Sequence, residues 1–486
     1  MASPRLSTLG LCASFLQMEE ELNLFRRQID GVYFWEHVRF YVFYELQRSL
    51  GLTETAPFHQ GKPWLRWGKQ LLSSLTGLIL HNPFLTTSKP VLFFGCPRRT
   101  PDSNGVWWDT TVDPLLDALT IPAYYIERYC GGRHCTPART KAVKYHDLFS
   151  LIACGYRLTT FYRGFSAAAR QVLLGIQARL QDQFEVTIDV PGITLPILKT
   201  RRSLLGLYAK LLQRVQPQAV FVASINYYER IAIEACKQLG IPVIELQHGV
   251  IGPGDLCYAF PKNAPLRCFP DYLFVYGPYW QQCLDYPLAA QRVIAIGNPY
   301  LEARLQEHRG VDKIDQVVFI SQPTVGAALS RFAVALRRQA QFAWPIVYRL
   351  HPYERDWRTR YPWLQDAGIT VSESQDGDIY ALLARSRMQI GVYSAALVEG
   401  LSFGCSTYLV NLPGVEYMRP LVDRNWAKLV MEPGEITADH AAGKSNADET
   451  FCSSNSLERF RAALAAILAE EDSRILTGVV SRRRAS

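Results

Sequence analysis

No run of about eighteen uncharged apolar residues occurs in the 486-residue chain, so no segment has the length to span a bilayer as a helix. The eleven cysteines form no C-x-x-C pair, which removes ribbon-type zinc sites and thioredoxin-like redox chemistry. Cys130 and Cys135 lie five apart around Gly131, Gly132, Arg133 and His134, but no second pair stands at finger-like spacing, and no metal is expected. Charge is sparse, with 20% charged against 48% hydrophobic residues, and this balance excludes disorder, collagen, coiled coil and a small disulfide scaffold. The cations are dispersed and no recognition module for nucleic acid is present, so nucleic acid is not an expected partner. The apolar stretch Leu6 to Leu16 has a thin basic start and is followed by Glu19, Glu20 and Glu21, which does not read as a signal peptide. An odd number of scattered thiols suits a reducing compartment, and a cytoplasmic location is expected.

What is present is a long, aromatic-rich chain. At roughly 150 residues per domain the length suggests two or three domains. Aromatics reach 12%, and the formal net charge of +8 favours anionic partners weakly. Residues 1–85 read as a helical N-terminal extension. Phe34, Trp35, Val38, Phe40, Tyr41 and Tyr44 form one aromatic helical run, and Trp64, Leu65, Trp67, Lys69, Leu71, Leu72, Leu75, Leu78 and Ile79 mix indoles, a cation and leucines. Packing on the main body is the leading expectation for this region. Peripheral contact with an anionic membrane is the other, since indoles and cations suit the headgroup layer.

From Val91 onwards, short apolar strands alternate with helical periods, the pattern of βαβ units on parallel sheets. Strands are expected at Val91 to Phe94, Ala219 to Ala223, Ile241 to Leu246, Tyr272 to Val275 and Val293 to Ile296, and Gly240 closes the helix Glu229 to Leu239. A second alternation begins near residue 315. Its strands are Val317 to Ile320, Ile346 to Leu350, Ile369 to Val371, Met388 to Val392 and Thr407 to Val410. The expected fold class is α/β, with two Rossmann-like doubly wound domains facing a cleft: residues 86–305 on the acceptor side and 306–486 on the donor side. Asn455 is expected to cap the last amphipathic helix with Glu458 as reciprocal partner. The Arg482-Arg483-Arg484 tail reads as solvated.

Ligands of open parallel sheets bind outside the carboxyl ends of the strands, which selects the residues just beyond each strand. Arg349 and His351, two apart and followed by Pro352, place a cation and an imidazole on one side of a strand end, a pairing suited to phosphate. Ser394 and Ala395 open a helix whose free N–H groups face the sheet edge, an anion site, and Glu399 lies a turn further on, near enough for ribose hydroxyls. Gln322 and Gly326 follow another strand end of the same half. In the first half, Gln247-His248-Gly249 turns His248 towards the cleft, with Gly249 permitting close approach. Asn298, Glu229 and Asp255 could also reach it. Asp109 and Asp113, set in Trp107-Trp108-Asp109-Thr110-Thr111-Val112-Asp113-Pro114, lead the candidate bases because aromatic density fits a sugar-stacking wall.

Strand-QHG and GNP in the first half, then strand-HP and S-x-x-x-x-E-G-x-x-x-G in the second, resemble bacterial glycosyltransferases of the GT-B fold. The nearest resemblance is to capsule and lipopolysaccharide enzymes that use CMP-activated acidic sugars, the Kdo transferases and sialyltransferases, over residues 90–420. The resemblance implies transfer of an acidic sugar, Kdo ahead of sialic acid, to a glycan or glycolipid acceptor, without a cofactor or metal. It also implies that His351 stabilises departing CMP, Ser394 holds the phosphate and Glu399 lies by the ribose. The acidic pair followed by Gly that supplies the base in such sialyltransferases has no copy in the first domain, since Gln375-Asp376-Gly377 lies in the second. A UDP-sugar GT-B enzyme, a nucleotide-sugar epimerase, a CDP-polyol phosphotransferase and a non-catalytic assembly subunit are the alternatives.

Overall fold

The computed structural model describes residues 7–53, 77–95, 99–102, 104–129, 134–158, 164–354, 356–365, 367–373, 376–437 and 450–476. Trp64 to Leu75, Cys130, Gln375 and the Arg482–Arg484 tail therefore lie outside the described residues.

Two parallel sheets carry the fold. The first contains β1 (Val91–Phe94), β2 (Ala123–Glu127), β3 (Val143–Tyr145), β4 (Ala219–Val222), β5 (Val243–Leu246), β6 (Tyr272–Val275) and β7 (Val293–Ala295), in the order β7-β6-β5-β4-β1-β2-β3. The second contains β8 (Ile314–Ile320), β9 (Ile346–Arg349), β10 (Thr370–Ser372), β11 (Ser386–Gly391), β12 (Ser406–Val410) and β13 (Ala427–Val430), in the order β10-β9-β8-β11-β12-β13. Counted from its first strand, each sheet reads 3-2-1-4-5-6, with the first extended by one strand. This is the doubly wound order of dinucleotide-binding folds, and the winding direction reverses between β1 and β4 and between β8 and β11. Central strands such as β1, β4, β5 and β6 are buried along their whole length. Apart from Glu245 in β5 these strands are apolar without alternation, as a sheet covered by helices on both faces requires.

The helix Tyr227–Gln238 ends at Leu239, and Gly240 takes the left-handed conformation at φ 67°, the helix stop expected of it. The two described N-terminal helices pack on the main body, the leading expectation for residues 1–85. Helices Thr8–Glu21 and Trp35–Ser49 share one core with helices Ala167–Phe184 and Val190–Val215, through Leu11, Phe15, Trp35, Val42, Leu173, Leu180 and Leu198. Arg39 reaches from this bundle into the first domain. It pairs with buried Glu19 at 2.7 Å and donates to the Ala259 carbonyl at 2.9 Å. The aromatic run thus faces inward, Phe34, Trp35 and Phe43 being buried and Phe40, Tyr41 and Tyr44 partly so. No described helix is long and apolar enough to cross a membrane.

The last helix, Ser456–Leu476, departs from the expected division at 306–486. Its stripe of Phe460, Leu464 and Ile467 covers Phe221, Ile244 and Phe274 on the first sheet, so it belongs to the first domain. The apolar stripe decides this: it shares the buried sheet face with Leu115 of helix Asp113–Ala118. The expected capping box is also absent. Asn455 has φ 55°, and the N–H groups of Asn455 and Ser456 donate to the Glu302 carboxylate at 3.1 and 3.0 Å, not to Glu458.

Candidate functional site

The carboxyl ends of the two sheets meet across a cleft. Contacts between the domains close one side of it: Arg304 pairs with Asp378 at 2.9 Å, and the Tyr300 and Tyr380 rings lie 5.7 Å apart. Elsewhere the Tyr417 hydroxyl donates to the Gly254 carbonyl at 3.0 Å. Between them lies a cavity of about 110 Å³. The first domain lines it with Thr110, Thr111, Gln247, His248, Asn298 and Tyr300, and the second with Tyr380 and Glu399. No lysine or arginine is among its described lining residues. The volume is below the roughly 300–1,000 Å³ usual for whole ligands, so the cavity suits the reacting end of a ligand whose remainder lies along the cleft.

Each cavity residue is held by local chemistry. Gln247 is buried and clamps two strand ends: its Nε2 donates to the Gly249 carbonyl at 2.8 Å, and its Oε1 accepts the Tyr276 N–H at 2.8 Å. That clamp fixes the exposed His248 between them. Asn298 caps the helix Pro299–Glu307, its Oδ1 accepting the Leu301 N–H at 3.1 Å. The preceding Gly297 has φ 89°, and a Cβ there would stand 2.2 Å from Ser456 Oγ, so only glycine fits. Glu399 sits in the second turn of helix Ala395–Ser402. Burial raises its carboxyl to about 7, the Tyr380 hydroxyl opposing and Asp378 adding to the rise. A cleft carboxyl tuned close to neutrality is suited to accept or give a proton.

A helix start and two strand ends of the second domain come together at the reversal between β8 and β11. Ser394 caps the helix, its Oγ accepting the Ala396 N–H at 3.3 Å, and no acid occupies the first turn that Ala395 opens. Gln322 bridges the two strand ends by accepting the Tyr393 N–H at 3.2 Å. His351 Nδ1 accepts the Tyr353 N–H at 3.2 Å, which leaves the ring proton on Nε2 as a donor. Pro352 is exposed beside it.

Other predicted site residues have different work. The Arg349 guanidinium donates to Ser372 Oγ (2.8 Å), the Glu373 carbonyl (2.6 Å) and the Gly377 carbonyl (2.8 Å), stapling the loop after β10. Gly326 is needed for packing, since a Cβ would lie 2.1 Å from the Tyr361 hydroxyl. Asp109 and Asp113 are buried and do not line the cavity; Thr110 and Thr111 between them do. Asp109 accepts the Tyr125 hydroxyl at 2.6 Å and the Thr111 and Val112 N–H groups, and Asp113 accepts the Asp109 N–H at 2.8 Å and the Thr140 hydroxyl. They shape the turn that presents the threonines, and Trp108 of the same segment lies 6.2 Å from the Tyr300 ring. Glu229 is likewise buried, paired with Arg128 at 3.0 Å. Gly249 has neither a left-handed φ nor a crowded Cβ position, so the fold itself does not require glycine there.

His134 stacks on Tyr145 and bonds Glu127 and Asp147. Burial depresses its imidazole, but the two carboxylates outweigh it and raise the ring to about 9. The ring is thus held as a cation between two carboxylates. Among the described residues one His/Cys/Glu group, His37–Glu234–Cys268, is compact enough for a metal. Arg201 already neutralises Glu234 at 2.8 Å, which fits an internal ion pair.

Sequence reasoning missed Thr110, Thr111, Tyr300 and Tyr380. Thr110 and Thr111 lie inside the segment Asp109–Asp113, and Tyr300 adjoins Gly297-Asn298-Pro299. Tyr380 opens no strand end and carries no local signal.

No protein-family model matches the chain, and no curated protein matches it. Among solved structures it is similar to UDP-GlcNAc 2-epimerase from Neisseria meningitidis bound to UDP-GlcNAc, with 14% identity over 77% of this chain and 99% of that one and a TM-score of 0.48. It is also similar to the UDP-N-acetylglucosamine 2-epimerase from Rickettsia bellii (9%; 80% and 98%; 0.46) and the UDP-GlcNAc 2-epimerase from Methanocaldococcus jannaschii (11%; 77% and 99%; 0.44). Likeness at this level is one of fold.

Proposed function

We propose that the protein is an enzyme acting on a nucleoside-diphosphate sugar, with the nucleotide held by the second domain and the sugar in the cleft cavity. One observation carries this reading: the carboxyl edges of two doubly wound sheets meet over a cavity whose polar lining is hydroxyls, amides, one imidazole and one carboxyl, set among apolar side chains such as Leu115, Leu246 and Phe274, with no lysine or arginine among the described lining residues. A neutral polyhydroxyl sugar fits that lining. An acidic sugar would bring its own carboxylate beside Glu399 with no lysine or arginine to pair it. The expected CMP-activated Kdo or sialic acid donor therefore gives way to its alternative, a UDP-sugar or similar donor.

In this reading the helix start at Ser394–Ala396 and the His351 Nε2–H face the diphosphate. They stabilise the charge that develops as the bond from the anomeric carbon to the phosphate oxygen breaks. His248 and Glu399, from opposite domains, are the proton-carrying groups at the sugar. In glycosyl transfer an acceptor hydroxyl attacks the anomeric carbon, its proton passes to one of them, and the nucleoside diphosphate departs. A second reading, isomerisation of the nucleotide sugar itself, is favoured by the small volume of the cavity.

Thermal melting against UDP, GDP, ADP, CDP and CMP tests the proposal. A ligand at a hundred times its Kd adds about 2.7 kcal/mol, a shift of several degrees. A shift with a nucleoside diphosphate, reduced in His351→Ala, is expected. A shift with CMP alone restores the acidic-sugar donor, and no shift with any nucleotide overturns the reading. NMR of the nucleotide sugar incubated without acceptor then separates isomerisation, which changes the sugar signals, from transfer, which leaves them unchanged.

A further inference from the structure

Among the described residues, Ile79, Leu80 and Leu85 are 68%, 71% and 62% exposed, three of the four most exposed large apolar side chains, and they fall within seven residues of one another. Single exposed apolar residues are ordinary, but clustered ones mark an interaction surface. The segment carrying them runs beside β3, the edge strand of the first sheet. The Tyr145 N–H donates to the His81 carbonyl at 2.8 Å, and His81 Nδ1 contacts the Val143 carbonyl at 3.0 Å.

Cations frame the same segment. Lys144 Nζ donates to the Leu85 carbonyl at 2.8 Å, Lys144 and Lys89 share the Tyr124 ring at 5.9 and 5.7 Å, and Arg214 Nε donates to the Thr86 carbonyl at 3.1 Å. Lys141 is exposed at the start of the same edge. No carboxylate is paired with Lys89, Lys141, Lys144 or Arg214 among the described residues. Glu127 and Asp147, the first at the end of β2 and the second two residues past β3, are buried and bound to His134.

We propose that this edge is a docking surface for an anionic lipid bilayer, with Ile79, Leu80 and Leu85 entering the interface and the lysines meeting the headgroups. Apolar side chains supply the buried area and adjacent cations the attraction to anionic lipid, the two ingredients of reversible peripheral binding. An unbalanced cationic rim distinguishes a lipid surface from a second copy of the chain, which would set these cations against their own kind. The surface lies four strand spacings, about 19 Å, from β5 and its His248. It does not rest on the nucleotide reading.

Co-sedimentation of the whole protein with phosphatidylcholine vesicles containing about one-third phosphatidylglycerol tests it. The protein pellets with these vesicles at about 0.1 M salt, not with pure phosphatidylcholine, and is released at about 1 M salt, where screening shortens to about 3 Å. Leu80→Ser with Leu85→Ser abolishes pelleting. Lys89→Glu with Lys141→Glu weakens it by at least about fivefold per lysine. Leu80, Leu85 and Lys141 are exposed and Lys89 partly so, and unchanged melting temperatures report intact folding. Three results overturn the proposal: no pelleting with anionic vesicles at low salt, pelleting by both variants equal to that of the native chain, or a concentration-dependent dimer that Leu80→Ser with Leu85→Ser converts to monomer.

Discussion

Glu245 lies in the middle of β5, wholly buried, with the Tyr258 hydroxyl donating to one oxygen at 2.7 Å and no partner for the other among the described residues. Burial pushes its carboxyl from 4.5 up to about 8, Tyr258 opposing and Asp255 adding to the rise. The native state therefore binds a proton that the unfolded chain releases above about pH 4.5. Stability is fully present below that value and falls as pH rises towards 8. Asp109 and Asp255, raised by burial to about 6, act in the same direction. Glu245→Gln keeps an acceptor for Tyr258 and removes the ionisation, so its melting temperature should exceed that of the native chain by a margin that widens from pH 5 to pH 9. A margin constant with pH would contradict the assignment. At Gly249 the expectation is the reverse of a folding effect. A methyl group there meets open space, so Gly249→Ala should melt like the native chain; weakened nucleotide-sugar affinity in calorimetry would then report ligand backbone approach at the QHG turn.

The same scale shows why candidate residues were only partly legible. His248, Asn298 and Glu399 stand where strand ends and helix starts put them, and such positions can be read from apolar runs followed by Gly, Asn or Ser. Arg349, Asp109 and Asp113 occupy equally good positions, but their side chains turn to the Ser372–Gly377 loop and the Tyr125–Thr140 cluster. Nothing local to those residues encodes their distant partners, Ser372 for Arg349, Tyr125 for Asp109 and Thr140 for Asp113.

At the scale of elements, the last helix is the informative case. Phe460 is wholly buried against Phe221 and Phe274. Phe460→Ala should cost about 3–5 kcal/mol in denaturant unfolding, because the cavity left cannot be refilled by a sheet fixed on its other face. A loss below about 1 kcal/mol would show that the helix is only loosely docked. The helix itself was readable from its amphipathic period, and its destination was not: an apolar stripe states that something must be covered without naming which sheet. Strand positions were read within one to three residues at all ten places expected. Ala123–Glu127, Val143–Tyr145 and Ala427–Val430 were not placed, the last two being short edge strands with mixed burial that leave little apolar signal.

Across the whole molecule, two interdomain contacts differ in kind. The Arg304–Asp378 pair is part-exposed, and such pairs contribute at most about 1 kcal/mol. Asp378→Asn should therefore change nucleotide-sugar affinity by less than about fivefold. Tyr380 instead covers the cavity and touches Tyr300, so Tyr380→Ala should cost distinctly more in KM. Equal effects in the two variants would mean that the charge pair, and not the aromatic wall, holds the cleft.

Hydrophobic pattern by itself determined that this chain builds two parallel α/β sheets with chemistry gathered at their strand ends. Strand and helix periods are local, and burial on both faces leaves an unbroken apolar run that needs no partner to be recognised. Only the tertiary structure decided that the N-terminal helices belong to the first domain, that the last helix returns to it, and that the cavity contains a carboxyl but no described cation. Those outcomes depend on which surfaces meet, and side chains from residues more than a hundred positions apart, such as Thr110, His248 and Glu399, converge only when the two sheets face each other.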